Sequence, residues 1–261
     1  MKIRTFVIGY VFALAIFLFA QHRTVPEQKS GYVVVDLTHS INSSVPTYDE
    51  NGNSAYHEQT LATTEKNGYF ARAVSFPEHY GTHIDAPAHF VHGLWTVDQI
   101  PPERLVAPLV ILNVSAKAKK NADYQVSVDD VADWEQLHGQ VPAGAVVMAR
   151  TGWDLRWNSA RDYRNPDAAG VMHFPGFSTD VARFLTEGRN IVGVGIDTLS
   201  IDNGPSKNFP VHQYDLSHSI YQLENVANLA QAPDSGATVV VAPAKLEGGS
   251  GGPVRILAIS K

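Results

Sequence analysis

Residues 79–90, HYGTHIDAPAHF, contain an unusual density of side chains that can bind a metal ion. The chain has 11 histidines, and four of them fall in positions 79 to 92 beside one aspartate: His79, His83, Asp85, His89 and His92. Imidazole and carboxylate groups without any thiol suit Zn, Mn or Fe. The alternative is a set of ordinary surface or hydrogen-bonded core histidines, but clustered titratable groups concentrate at functional sites. The stretch therefore predicts a metal-dependent active site.

The local sequence predicts an extended or looped backbone rather than a helix, because Gly81, Thr82, Ile84 and Pro87 are poor helix formers. Side chains alternate along an extended chain, so the odd-numbered positions face one side: His79, His83, Asp85 and His89. His83 and Asp85 would lie about 6.6 Å apart along a strand, close enough to share one ion. His79 would be about 13 Å from His83 in a fully extended chain, so we expect a bend or bulge at Gly81.

A second carboxylate is predicted inside an apolar stripe farther along the chain. Residues 211–231 read VHQYDLSHSIYQLENVANLAQ, and a helix there would place Glu224 among Ile220, Leu223 and Ala227. Carboxylates rarely face a core unpaired, so a metal, a histidine or an arginine must compensate Glu224. His212 precedes this predicted helix and could do so jointly with an ion. A buried salt bridge or a place at the edge of the stripe is the alternative.

Composition indicates one folded domain and excludes several classes of protein. With 261 residues and 44% hydrophobic content, the chain can bury a full core. The net charge of -6, the pI near 6.0 and the lack of a Lys/Arg cluster make nucleic acid an unexpected partner. The chain has no cysteine, which excludes disulfides, thiolate nucleophiles and cysteine-based metal sites.

The N-terminus has the pattern of a secretory signal. Lys2 and Arg4 precede the apolar run FVIGYVFALAIFLFA at residues 6–20. That run is short for a membrane-spanning helix, yet the end of the run is a weak cleavage site, so an uncleaved anchor is the alternative. We therefore predict a signal peptide or anchor at residues 1–20, a polar tether at 21–31 and a folded domain at 32–261. The protein is expected to be exported, either periplasmic or membrane-anchored and facing the periplasm.

Strand-like and helix-like segments alternate through the folded part, which predicts an α/β domain. Apolar runs of strand length occur at residues 32–37, 105–114, 145–149, 191–196, 237–242 and 254–259, and helical patterns occur at 127–138 and 178–187. Asp197 follows one predicted strand, where it would either serve chemistry or cap the next loop. The glycine-rich link LEGGSGGP lacks the GK[ST] ending of a phosphate-binding loop, so a hairpin or crossover turn is expected there.

These residues resemble the cyclase family of metal-dependent hydrolases, which includes bacterial kynurenine formamidases and isatin hydrolases. The family's hallmark HxGTHxDxPxH is matched at every position, by His79, Gly81, Thr82, His83, Asp85, Pro87 and His89. A distal histidine and glutamate twelve residues apart, followed by ExxxNL, are matched by His212, Glu224, Asn228 and Leu229. Weaker matches, among them DTLSID at residues 197–202, extend the resemblance from Asp36 to Arg255.

The resemblance implies a role for each of these residues. His79, His83 and Asp85 would bind a divalent metal, Zn or Mn, and His212 and Glu224 would complete a second or shared site, so that one or two ions bind. His89 would be the proton donor and acceptor. Tyr48 stands where kynurenine formamidases carry a substrate-contacting tryptophan. The implied fold is a swivelling β/β/α domain, and the implied assembly is a homodimer or homotetramer.

The resulting hypothesis is a metal-dependent hydrolase of a C–N amide bond in a small, aromatic substrate. The substrate would be an aryl formamide such as N-formylkynurenine or a cyclic amide such as isatin, with another small amide or a lactone as the alternative. An Fe(II) oxygenase is a different candidate, because His83, Asp85 and His212 resemble its triad of two histidines and one carboxylate. A non-catalytic exported metal-binding protein is a third, and it predicts a closed coordination shell.

Overall fold

Twelve strands and six α-helices are found in the part of the chain that the computed structural model describes, residues 31–48 and 56–261. The strands are β1 (Val33–Asp36), β2 (His57–Ala62), β3 (Ala71–Ser75), β4 (His83–Asp85), β5 (Val106–Asn113), β6 (Gln125–Val126), β7 (Val146–Arg150), β8 (Gly176–Phe177), β9 (Gly193–Ile196), β10 (Tyr221–Glu224), β11 (Ala237–Pro243) and β12 (Gly251–Ser260). The helices are α1 (Thr64–Asn67), α2 (Ser115–Lys120), α3 (Val128–His138), α4 (Ala160–Arg164), α5 (Thr179–Arg189) and α6 (Pro210–Ser217).

The main sheet closes on itself like a barrel. Its eight strands follow the order β1-β12-β11-β5-β7-β9-β10-β4, and β4 also pairs with the first residues of β12. The four central strands β5, β7, β9 and β10 run parallel, while the remaining pairs are antiparallel. Residues 31–261 thus form a single α/β unit, as the sequence predicted, with a barrel-like sheet.

Both faces of the central strands are buried, which explains their continuous apolar sequences. In β5, Leu109 and Ile111 join the cluster formed with strand residues such as Val239 and Ile256. Their neighbours Val110 and Leu112 point the other way, into a second cluster that contains residues of α3, α5 and α6. One face therefore packs strand against strand, and the other packs against the helices that connect the parallel strands.

The helix predicted to carry Glu224 is absent, and this prediction was wrong. Helix α6 ends at Ser217, and residues 221–224 form strand β10 between β9 and β4. Left-handed backbone at Ser219 (φ 59°) and Asn225 (φ 55°) separates the strand from helical conformations on either side. Every residue of β10 is buried, so the apolar spacing reflects a strand covered on both faces and not a helical stripe.

The other element predictions are confirmed to within three residues at each boundary. The predicted strands correspond to β1, β5, β7, β9, β11 and β12, and the predicted helices correspond to α3 and α5. Helix α3 begins with a capping box formed by Ser127 and Asp130. The signal or anchor at residues 1–20 and all of the tether except Gly31 lie outside the described residues. Among the residues that are described, no helix has the length and apolar character needed to cross a membrane.

Candidate metal centre

The pairing of β4 with β10 brings the two distant motifs of the sequence together. Their antiparallel register places Glu224 opposite His83, and both residues are buried. Before β4, Gly81 adopts a left-handed conformation (φ 70°) that turns the chain, so the predicted bend is present. This turn brings His79 back onto β4, where its Nδ1 lies 2.6 Å from Oδ1 of Asp85.

Helix α6 completes the cluster by supplying His212. Its Nε2 lies 3.1 Å from Oε1 of Glu224 and 3.5 Å from Oδ2 of Asp85. On the other side, His83 Nε2 lies 3.3 Å from Asp85 Oδ1 and 3.4 Å from Glu224 Oε2. Two ligands that each lie about 2.0–2.2 Å from one tetrahedral ion are about 3.3–3.6 Å apart. His83, Asp85 and Glu224 therefore lie at the spacing of ligands to one divalent metal ion, and His212 contacts the other oxygen of each carboxylate.

Hydrogen bonds behind two of these histidines fix which ring nitrogen faces the cluster. His83 Nδ1 donates to the carbonyl oxygen of Gly81 at 3.0 Å, and His212 Nδ1 donates to Oδ2 of Asp202 at 2.7 Å. With the hydrogen held on Nδ1, each ring presents the lone pair of Nε2 to the carboxylates. Such supporting acceptors are a regular feature of histidine ligands in metal sites.

The electrostatics of the buried cluster favour a positive charge between its members. Burial alone would lower the pKa of His83, but the charge of Asp85 and its hydrogen bonds, together with Glu224, raise it to about 10. Burial would likewise raise the pKa of Asp85, yet the charge of His83 and hydrogen bonds from three histidines hold it well below its usual value. The carboxylates therefore stay ionised and attract cations, either as protons on the imidazoles or as a metal ion.

His89 lies beside the cluster and not on the same strand face, which corrects the simple alternation predicted from sequence. It belongs to the 3₁₀ turn Pro87–His89 that follows β4. Its ring centroid is 4.1 Å from that of His79 and 6.3 Å from that of His212. Partial burial lowers the pKa of His89, so its imidazole is neutral at pH 7 and can accept a proton.

A cavity of about 410 Å³ opens onto the cluster. Its walls combine the apolar side chains of Phe90, Leu199 and Phe209 with the hydroxyl groups of Tyr48 and Ser200. Its lining also includes all six residues predicted from the motifs as ligands or proton shuttle: His79, His83, Asp85, His89, His212 and Glu224. The shell is thus open on one side, unlike the closed shell expected of a purely structural ion. The cluster also differs from the oxygenase triad of His83, Asp85 and His212, because Glu224 gives it a second carboxylate.

Comparison with known proteins establishes the family. Residues 35–203 match the family model described as "Putative cyclase". The chain belongs to this cyclase family. Among its relatives, the isatin hydrolase of Roseibium aggregatum is 34% identical over 190 residues, covering 70% of this chain and 72% of the relative. The kynurenine formamidase of Bacillus anthracis is 25% identical over 222 residues, covering 85% and 94% of the two chains.

A solved structure agrees with this cyclase-family assignment. Isatin hydrolase A from Ralstonia solanacearum superposes with a TM-score of 0.82 at 35% identity, covering 88% of this chain and 93% of the other. The family predicted from the HxGTHxDxPxH motif is therefore confirmed. These relatives also confirm the prediction that the chain is an enzyme of the amidohydrolase type.

Tyr48 and Ser200 contribute hydroxyl groups to the cavity wall in this cyclase-family protein. Burial around the hydroxyl and the charge of Glu224 raise the pKa of Tyr48, although 44% of the residue is exposed. Ser200 is 1% exposed. Its hydroxyl is near enough to influence the pKa of Tyr48, but it makes no well-aligned hydrogen bond with any described residue. Both hydroxyls therefore stay protonated and are available to a ligand.

Other residues around the site gained a role only from the structure. Asp197 is a loop cap, since its buried carboxylate accepts hydrogen bonds from the backbone of Thr151, Gly152 and Trp153. Phe209 was missed, although its position directly before Pro210 marks the start of α6. Its left-handed backbone (φ 46°) is unusual for an aromatic residue, and such strain is concentrated at functional sites.

Proposed function

We propose that this cyclase-family protein uses a divalent ion, Zn or Mn, to hydrolyse the C–N bond of a small aromatic amide. The substrate is an aryl formamide or a cyclic amide of the isatin type. One observation carries the proposal: the Nε2 atoms of His83 and His212 each lie 3.1–3.5 Å from an oxygen of Asp85 and an oxygen of Glu224, in a cavity with aromatic walls. Oδ1 of Asp85 faces His79 and His83 while its Oδ2 faces His212, so the proposal covers either one ion or two.

The residues that hold the ion are Asp85, Glu224 and the Nε2 atoms of His83 and His212, with His79 beside Asp85. When bound there, a divalent ion supplies Lewis acidity to the amide carbonyl and to the attacking water. The protein's own contribution is to keep both carboxylates ionised and to aim the imidazole lone pairs. Burial behind β4 and β10 strengthens these interactions because the local dielectric is low.

His89 is proposed as the acid and base of the reaction. Its neutral imidazole accepts a proton from the attacking water while the new C–O bond forms. The resulting imidazolium then delivers this proton to the amide nitrogen as the C–N bond breaks, which gives a separate acid and amine from a formamide and one ring-opened molecule carrying both groups from a cyclic amide. A positioned histidine of this kind contributes typically 10²- to 10⁴-fold to the rate. No covalent intermediate with the protein is required.

The walls of the cavity favour binding of an aromatic substrate. Phe90 and Phe209, whose ring centroids are 6.0 Å apart, supply apolar surface for a planar ring, and Leu199 adds to it. The hydroxyl groups of Tyr48 and Ser200 supply donors for substrate oxygens. A volume of about 410 Å³ lies within the range of small-molecule sites and would accommodate a one- or two-ring amide.

The deciding experiment is hydrolysis of N-formylkynurenine and isatin side by side. The purified protein is stripped with a chelator and then reloaded with Zn or with Mn. We expect turnover of at least one substrate to disappear on stripping and to return with metal. Bound metal without turnover of either substrate would move the search to other amides or lactones. No metal binding at all would overturn the proposed function.

We also propose export, with residues 1–20 as signal peptide or anchor, residues 21–31 as tether and residues 32–261 as a domain of the swivelling β/β/α type. The charged N-terminus followed by a 15-residue apolar run supports export. N-terminal sequencing of the protein from periplasmic and membrane fractions tests it. An uncleaved chain in the cytosolic fraction would contradict it.

A homodimer or homotetramer is proposed on the evidence of the β2–β3 hairpin. Among the described residues these two strands form a sheet of their own, which is marginally stable alone in water. Leu61, Tyr69 and Phe70, at or near the ends of the strands, are each at least 60% exposed. A second subunit would cover these apolar side chains. Light scattering of the purified protein measures the assembly, and a monomer at micromolar concentration would contradict it.

A further inference from the structure

The glycine-rich link, residues 246–253, leads from the connection after β11 into the first residues of β12 and packs against His79. Sequence alone predicted only a turn here. A Cβ atom on Gly251 would lie 2.4 Å from Cε1 of His79 and 2.7 Å from the backbone oxygen of Ile84, so the close approach requires glycine. The next residue toward the N-terminus, Ser250, brings its hydroxyl to the same imidazole. The link is therefore part of the wall that surrounds a candidate metal ligand.

The hydrogen bonds of Ser250 have only one consistent direction. Its Oγ lies 2.8 Å from Oε2 of Glu78 and 3.0 Å from Nε2 of His79. The same Glu78 oxygen accepts the backbone N–H groups of Ser250 and Gly251 at 2.9 and 3.3 Å. An ionised carboxylate only accepts, so the single hydroxyl hydrogen of Ser250 points to Glu78. Ser250 Oγ must then accept its other hydrogen bond from His79, whose hydrogen lies on Nε2.

This direction determines what the other nitrogen of His79 can do. With Nε2 protonated, Nδ1 presents its lone pair to Asp85 Oδ1 at 2.6 Å. A lone pair and a carboxylate oxygen at this separation need a cation, either a proton or a metal ion. His83 and His212 have the opposite arrangement, because each donates from Nδ1 and presents Nε2.

We propose that Glu78 and Ser250 are positioning residues that hold the hydrogen of His79 on Nε2 and thereby make Nδ1 a ligand atom of the metal centre. The assignment rests on the proposed function, since it needs a metal at this site. It gives the glycine-rich link a task that its sequence does not reveal: Gly251 leaves space for the ring, and Ser250 orients it.

The test measures metal affinity by competition with a chelator for Zn and Mn, using the full chain. Ser250→Ala and Glu78→Ala are expected to weaken binding by about 10- to 100-fold, the range typical for loss of a partner behind a metal ligand. Glu78→Gln keeps an oxygen that can accept the same three hydrogen bonds, so it should retain most of the affinity. The matched control is Asp98→Asn, because Asp98 Oδ1 accepts Gly248 N at 3.0 Å on the same link but does not contact His79.

The outcomes separate the positioning role from a structural one. Unchanged affinity in Ser250→Ala and Glu78→Ala would overturn the assignment, and so would an equal loss in Asp98→Asn, which would show that the link needs support only for its folding. A wild-type chain that binds no divalent ion would overturn the metal centre itself and the assignment with it. If the wild type binds the ion and both Ser250→Ala and Glu78→Ala bind it with the same affinity, the assignment alone is overturned and the metal centre stands.

A second measurement observes the hydrogen positions directly in the wild-type protein. In the Zn-loaded wild-type protein with ¹⁵N-labelled histidine, the NMR signals of His79 should show Nε2 protonated and Nδ1 not. His83 and His212 should show the reverse. The His79 signal is identified by its absence from His79→Asn. A hydrogen on Nδ1 of His79 in the loaded protein would contradict the proposal whatever the variants do.

Discussion

Glu224 lies directly across from His83 in the antiparallel pair of β10 and β4, with its Oε2 3.4 Å from the imidazole Nε2. Its other oxygen lies 3.1 Å from Nε2 of His212 and accepts the backbone N–H of Ile201 at 3.0 Å. One buried carboxylate thus connects a histidine of the first motif with a histidine of the second. These two histidines, His83 and His212, are 129 positions apart in a chain of 261 residues.

Glu224→Gln removes the negative charge from this connection and keeps the shape of the side chain. Removing a residue that only hydrogen-bonds to a metal ligand costs roughly 10- to 100-fold in metal affinity. We expect Glu224→Gln to cost more than this, because Glu224 is itself a proposed ligand. Turnover should fall with it. Chelator competition and activity at saturating metal measure the two effects. Glu187→Gln, which changes an exposed glutamate bonded to Tyr214, is the control and should behave like wild type.

His89→Ala removes the proposed proton shuttle and leaves the carboxylate cluster in place. Turnover with bound metal should fall by about 10²- to 10⁴-fold, since that is the usual contribution of a general acid and base. Metal content and thermal stability should stay close to those of the wild type. His92→Ala is the matched control, because His92 is exposed and does not line the cavity. Wild-type turnover in folded, metal-loaded His89→Ala would refute the role of His89.

Two neighbouring glycines allow a direct test of the packing behind His79. Gly251→Ala places a methyl group 2.4 Å from His79 Cε1 and 2.7 Å from the oxygen of Ile84, and we expect a loss of about 1–3 kcal/mol in stability together with weaker metal binding. Gly252→Ala meets nothing closer than 3.5 Å and should be tolerated. Urea unfolding and metal titration of both variants make the comparison. Equal behaviour of the two would show that the close approach to His79 does not matter.

The buried carboxylate of Asp130 predicts how stability depends on pH away from the site. Burial would raise its pKa, but Lys117 and hydrogen bonds from Ser127 and Tyr124 hold the pKa below its usual value. A lowered pKa in the folded state stabilises the protein above the unfolded pKa near 3.9, and this contribution is lost as pH falls through the folded pKa.

Asp130→Asn should therefore cost about 1–3 kcal/mol at pH 7, and its difference from wild type should shrink below pH 4. Unfolding by urea at pH 7 and at pH 3 measures both. Asp133→Asn lies on the same helix, 3.8 Å from the Lys117 ammonium and with its side chain 70% exposed, so it should leave stability unchanged. A cost that persists undiminished at pH 3 would contradict the electrostatic explanation.

The strands of the sheet could be predicted because burial on both faces produces long apolar runs, as in β5 and β7. Strand β10 could not, since its four residues satisfy a helical spacing as well as a doubly covered strand. Only pairing with β9 and β4 decides between the two conformations. For the same reason, the sequence could predict that Glu224 needs a partner and could offer His212 for that role, but it could not show that His83 faces Glu224 from the neighbouring strand.

The sequence by itself determined the family and its chemistry, because metal ligands must be particular residue types at particular short spacings, as in His83 and Asp85. The tertiary structure alone decided how distant segments complete the site. His212 and Glu224 reach β4 through strand pairing and a helix start, and Ser250 reaches His79 through a turn about 170 residues farther along the chain. Such contacts depend on how the sheet closes, and no local pattern of residue types encodes that closure.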